Sequence, residues 1–102
     1  MKHDDKKPAE LSDIDELRDA IDQTDEMLLR SLGARFRATK LVGKIKRMYQ
    51  KPIRDEGREE KMKEKWRQHA KTHGIPQPLA LLMLDLILDE SRRLQEEERT
   101  EK

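Results

Sequence analysis

Apolar residues recur at three- and four-residue steps from Ile14 onward: Ile14, Leu17, Ile21, Leu28, Val42, Ile45 and Tyr49. That spacing marks one face of an α-helix. Thr24, Ser31, Arg35 and Ala38 fill the remaining positions of the same stripe. No proline interrupts before Pro52, so the pattern predicts one helix from about Asp13 to about Arg47. Ser12 is suited to cap it, with Asp13, Asp15 and Glu16 where the positive end of the helix dipole favours acids. Gly33 and Gly43 each weaken such a helix by about 1 kcal/mol relative to alanine, and neither has to break it.

Lys51-Pro52-Ile53-Arg54-Asp55 reads as a loop ending in a helix cap. A second helix is expected from about Glu56 to about Lys71, with Met62, Trp66 and Ala70 on one face. Gly74 suits the left-handed residue that often closes a helix, and Pro78 the first turn of the next. That third, leucine-rich helix should reach about Glu97. The predicted fold class is all-α, three helices per chain with the first very long. The expected domain spans residues 11–97, between a disordered tail at 1–10 and a short tail at 98–102. The first helix would be roughly 50 Å long, against a radius of gyration of about 13 Å for a compact domain of this size. The rest of the chain is too short to cover it, and a second copy is the simplest cover, which predicts an intertwined helical homodimer.

Charged residues make up 44% of the 102 residues and hydrophobic ones 33%, a combination that also suits disorder. Disorder normally carries a lopsided charge and no apolar period. Here Lys+Arg 23 and Asp+Glu 22 nearly cancel, and the period is strong. The balance also speaks against a nucleic-acid partner. Without cysteine there is no disulfide framework, thiol nucleophile or cysteine-bound zinc. The start of the chain lacks the apolar segment of a signal peptide. No apolar run approaches the length of a membrane span. A cytoplasmic protein with no membrane partner is therefore expected.

The polar residues that interrupt the stripes carry the chemistry. Arg35 stands where leucine would be expected, and Lys46, eleven residues on, returns to almost the same face. Their α-carbons would lie about 16 Å apart, so two long side chains leaning inward would grip a small dianion. Arg18 lies beside the stripe, about 25 Å from Arg35 along the axis, and approaches that grip only from an antiparallel second copy. Asp55, Arg58 and Glu59 share a face of the second helix. Ser91 and Gln95 turn the third stripe partly polar. Singly, each has a plainer explanation: a snorkelling arginine, a lysine at a helix C-terminus, a capping aspartate, a solvated face. His69 and His73 have a spacing that suits a metal, but no third ligand is evident, so no metal or cofactor is expected.

Together these residues form a recognisable set. Leu17-Arg18, Ile21-Asp22, Asp25 and Leu28-Leu29, then Arg35 and Val42-Gly43-Lys44-Ile45-Lys46, resemble the first helix of the all-helical (AroQ-class) chorismate mutases. Pro52-Ile53-Arg54-Asp55 with Arg58-Glu59 is similar to that family's P-[VI]-x-D-x-x-R-E motif, and Ser91 with Gln95 to its closing S-x-x-x-Q. The resemblance covers about residues 12–96. It implies conversion of chorismate to prephenate without cofactor or metal. It also implies that Arg35, with Arg18 of the partner subunit, binds the substrate carboxylates. Lys46 would contact a carboxylate and the ether oxygen whose bond breaks, and Gln95 would donate a second hydrogen bond to that oxygen. Glu59 and the Asp55 region would hold the ring hydroxyl, Arg58 would set the charge of the wall, and Ser91 would contact a carboxylate. Some relatives carry a glutamate where Gln95 stands and need it protonated.

Two rivals are distinct from this expectation. Isochorismate-pyruvate lyases resemble the mutases and use a similar cationic pocket. A non-catalytic helical dimerisation module would use the stripe charges only to fix register, and gives no reason for the five polar positions of the second and third helices to match together.

Overall fold

The computed structural model of the chain describes residues 9–100. Three helices and no strand occur among them: α1, Ser12–Met48; α2, Glu56–His73; and α3, Gln77–Thr100. Residues 1–8 of the expected N-terminal tail lie outside the described residues, as do residues 101–102 of the expected C-terminal tail.

The helix ends follow local chemistry. Ser12 is already helical and is not the cap the pattern suggested. Asp13 closes the entry turn: its Oδ2 accepts the Glu10 N–H at 2.8 Å, while its own N–H donates to the Glu10 carbonyl at 3.0 Å. Such reciprocal bonding satisfies donors that a helix start would leave open. At the far end Gln50 adopts a left-handed φ of 56°. Gln50 N–H reaches Arg47 O at 3.2 Å and Lys51 N–H reaches Lys46 O at 2.8 Å, a Schellman closure with glutamine in the usual glycine position. Helix α2 begins at the expected cap, the Asp55 side chain accepting from the Arg58 N–H at 3.1 Å. It ends in the same closure as α1, on Gly74 at φ 69°, with Ile75 N–H on Ala70 O at 2.8 Å.

The chain divides into two compact units, the first ending at Ala34 and the second beginning at Arg35. In the second unit α2 packs on α3, and the buried apolar residues are Ala70, Ala80, Leu84, Leu88 and Leu94. Thr39 and Gly43 are the buried residues of α1. A Cβ on Gly43 would stand 3.1 Å from Gln95 Cγ and 3.2 Å from Gln95 Cα, so α1 and α3 meet at a point where only glycine fits without a shift.

The third helix extends past the expected boundary at Glu97. Residues 98–100, assigned to a tail by the pattern, form its last turn. Glu98 is buried, Arg47 donates to its carbonyl, and Arg99 Nη2 donates to Lys51 O at 2.7 Å. The segment EEER reads as solvated from sequence because its anchors are main-chain carbonyls and two arginines, not an apolar face.

In the first unit no described residue is buried. The stripe residues Ile14, Leu17, Ile21 and Leu28 are all exposed, and so are Val42, Ile45 and Tyr49 in the second unit. No helix among the described residues is long and apolar enough to cross a membrane.

Leu84 of α3 is fully buried. Leu84→Ala is expected to destabilise the fold by about 3 kcal/mol, from lost transfer energy plus the residual cavity, measured by urea denaturation.

Candidate active site

One cavity of about 290 Å³ opens in the second unit, at the lower edge of the volumes that hold small molecules. Arg35, Lys46, Asp55, Arg58, Glu59, Ser91 and Gln95 all line it. These are the polar positions singled out in the sequence, with the exception of Arg18, which lies in the first unit and does not line the cavity.

Each wall has its own source. Helix α1 contributes Arg35 and Lys46, both half-buried. Arg35 Nη1 donates to Ser91 Oγ at 3.1 Å, and its Nη2 lies 3.6 Å from Met62 Sδ. Thr39 Oγ1 donates to the Arg35 carbonyl at 3.0 Å, which turns this hydroxyl back onto its own helix. Lys46 Nζ donates to the Ile53 carbonyl at 2.6 Å and to Gln95 Oε1 at 3.3 Å. The lysine thus ties α1 to the following loop and to α3. Since Oε1 of Gln95 accepts from Lys46, the amide NH₂ is the end left for other acceptors.

The start of α2 supplies Asp55, Arg58 and Glu59. Asp55 is committed as the helix cap. Glu59 is buried, and its carboxylate is clamped: Arg92 Nη2 donates to Oε1 at 3.0 Å and Arg92 Nε to Oε2 at 3.3 Å. Arg54 Nε lies 3.5 Å from Oε1.

Four cationic side chains, those of Arg35, Lys46, Arg58 and Arg92, face two carboxylates. Burial, and then the neighbouring charge of Arg58, push the Arg35 guanidinium below its ordinary value. An arginine keeps its proton regardless, and an anion beside Arg35 would offset both causes. The arrangement holds forked donors and a lysine around a small volume, suited to a compact dicarboxylate. No group of His, Cys, Asp and Glu among the described residues is disposed to hold a metal ion.

Sequence reasoning missed Arg92, which lines the cavity one residue beyond Ser91. Its α-carbon is about 80° off the centre of the Ser91–Gln95 face, a position that reads as solvated, and only the length of the side chain returns it. The Ile53 carbonyl was also missed, because a main-chain acceptor leaves no mark in a pattern of side chains. Val42 and Leu88 complete the apolar wall.

A search of curated proteins found no match to this chain. Residues 17–96 match the family model described as chorismate mutase type II. That span takes in every residue of the cavity wall, and the chain therefore belongs to the chorismate mutase type II family, the all-helical AroQ class.

Proposed function

We propose that the chain is a chorismate mutase that rearranges chorismate to prephenate as a homodimer, with no cofactor. The observation that carries the reading is the meeting of Arg35, Lys46 and Gln95 in one cavity of small-molecule size. The reaction is a unimolecular pericyclic rearrangement, so it requires no nucleophile and no general base. A catalyst for it holds the flexible substrate in its chair-like reactive conformer and stabilises the negative charge that grows on the ether oxygen as the carbon–oxygen bond stretches.

Arg35 serves the first task by forking onto a carboxylate, with Ser91 beside it. Lys46 and the amide NH₂ of Gln95 serve the second. The Ile53 carbonyl and Gln95 Oε1 hold the ammonium group in place, so little reorganisation is needed when charge develops. Glu59, with the Asp55 region, accepts the ring hydroxyl, and Arg58 adds to the cationic wall.

The exposed stripe of α1 supports the dimer. Ile14, Leu17, Ile21 and Leu28 share one face, interrupted by Thr24, that a lone chain leaves in water. Arg18 lies beside that face, and two α1 helices packed antiparallel bring Arg18 of the partner subunit to the Arg35 carboxylate site.

Purified protein is expected to consume chorismate saturably and release prephenate, followed by loss of chorismate absorbance and product identification. Lys46→Ala should lower kcat about a hundred- to a thousandfold, the usual cost of one lost oxyanion donor. An effect below about tenfold would remove Lys46 from the breaking bond. A folded dimer without turnover on chorismate would overturn the mutase reading, and isochorismate is then the substrate to test.

The amide of Gln95 has no proton to lose near neutrality. The rate is therefore expected to hold between mild acid and neutral pH, as read from a kcat/KM profile. A steep fall on raising pH through that range would mean that a titrating acid donates to the ether oxygen instead.

Subunit mixing tests the contribution of Arg18. Arg18→Ala and Arg35→Ala should each be inactive alone. Refolded together in equal amounts they should regain about a quarter of the wild-type rate, since half the dimers are mixed and each mixed dimer has one intact site. No recovery in a mixture shown to exchange subunits would refute a shared site.

A further inference from the structure

Glu59 is a buried carboxylate on the first turn of α2, and its surroundings go beyond what the family assignment carries. Both its oxygens are engaged from α3 by one side chain. Arg92 Nη2 reaches Oε1 at 3.0 Å and Arg92 Nε reaches Oε2 at 3.3 Å. A third guanidinium nitrogen, Nη1, donates to Asp89 Oδ1 at 2.7 Å, one turn earlier on the same helix. The fork is therefore held at both ends, by Asp89 behind and Glu59 in front. Arg54 approaches Oε1 from the loop at 3.5 Å, but its side chain is 58% exposed against 30% for Arg92, so the α3 contact is the better shielded of the two.

A paired fork fixes a carboxylate plane in a way that a point charge does not. It uses one lone pair on each oxygen; Arg54 stands near Oε1, and Oε2 keeps a lone pair to meet a donor in the cavity. It also cancels a negative charge in the wall of a site that must admit a dianion. The Arg92 guanidinium is itself raised above its ordinary value, chiefly by the hydrogen bond to Glu59.

We propose that Arg92 is a positioning residue of this site: its guanidinium, braced by Asp89, locks the Glu59 carboxylate in the orientation that accepts the substrate's ring hydroxyl and neutralises its charge towards the substrate carboxylates. The inference rests on the mutase reading. Arg92 acts through Glu59 and need not touch the substrate.

A double-mutant cycle read with two substrates tests it. Wild type, Arg92→Met, Arg92→Lys, Glu59→Gln and the Arg92→Met/Glu59→Gln double variant are assayed on chorismate and on an analogue lacking the ring hydroxyl, each first shown to be folded by its thermal melt. Arg92→Met is expected to lower kcat/KM on chorismate about tenfold, the scale of a lost charge-assisted hydrogen bond. Arg92→Lys, which keeps the charge without the fork, should recover part of that loss. In the Glu59→Gln background the Arg92→Met change should fall to within about twofold, because the two act as one unit. On the deoxygenated analogue, which keeps both carboxylates, Arg92→Met should lose only the part that the unneutralised Glu59 charge causes, a clearly smaller fall than on chorismate. A loss that persists undiminished in the Glu59→Gln background or on the analogue would make Arg92 a direct carboxylate ligand and overturn the proposal. So would a folded Arg92→Met as active as wild type. If Arg92→Met does not fold, the cycle is read with Arg92→Lys. Wild type inactive on chorismate overturns the mutase reading and this inference with it, whereas an active wild type with uncoupled variants overturns this inference alone.

Discussion

Helix backbones approach most closely over small residues, and α1 meets α3 in this way at Gly43 against Gln95. A Cβ there would press on the Gln95 α-carbon at 3.2 Å, backbone that cannot rotate away. The remaining contacts along α1 and α3 follow from that point. Lys46, nearly one turn beyond Gly43, reaches Gln95. Arg35, about two turns before it, reaches Ser91, which stands one turn before Gln95. Arg47 reaches the Glu98 carbonyl at the next turn. The two helices run in the same direction along this seam, and the cations of one meet the hydroxyl and amide of the other in register. A glycine that costs α1 about 1 kcal/mol in helix propensity is thus what lets Lys46 and Gln95 converge.

Convergence of cations has an electrostatic cost, and its distribution is informative. Arg35 carries it visibly, its guanidinium disfavoured by burial and by Arg58. Glu59 does little to relieve this, because its carboxylate is already engaged by Arg92 and approached by Arg54. Asp55 is engaged as the α2 cap. Four cations against these two acids leave the wall with an excess of positive charge for an incoming anion. A site that neutralised itself internally would be more stable and would bind a dicarboxylate less well. The same logic explains why the hydrogen bonds of Lys46 go to neutral oxygens, the Ile53 carbonyl and the Gln95 amide: they orient the ammonium group without cancelling its charge.

Much of this was legible in the sequence because helices translate spacing into direction. The three helices, the Asp55 cap and the Gly74 closure follow from local rules that operate over four or five residues. So does the grouping of Asp55 with Arg58 and Glu59, while that of Arg35 with Lys46 follows from the helical period carried over eleven residues. What escaped needed information from across the fold. Gln50 closes α1 in a left-handed conformation, and glutamine carries no signal for it. The last turn of α3 is held by arginines on carbonyls, which a hydropathy pattern scores as tail. Arg92 sits off the functional face and reaches back. The stripe is helical, yet the structure leaves Ile14, Leu17, Ile21 and Leu28 exposed. A periodicity states which residues share a face, not what covers it.

That last distinction bears on the assembly. The stripe of a helix normally faces its own core, but in the first unit no described residue is buried. The second unit, by contrast, has a core of small and branched residues on α2 and α3 and contains the whole cavity wall. Asp19 and Asp22 next to them are polar, as exposure favours, whereas Leu17, Ile21 and Leu28 are apolar. A second copy that covers them would account for the difference. Under the proposed dimer the same packing that removes the stripe from water delivers Arg18 to the site, so one interface serves both burial and charge. Stability and catalysis would then depend together on protomer concentration, which distinguishes this arrangement from a self-sufficient bundle that merely carries a pocket.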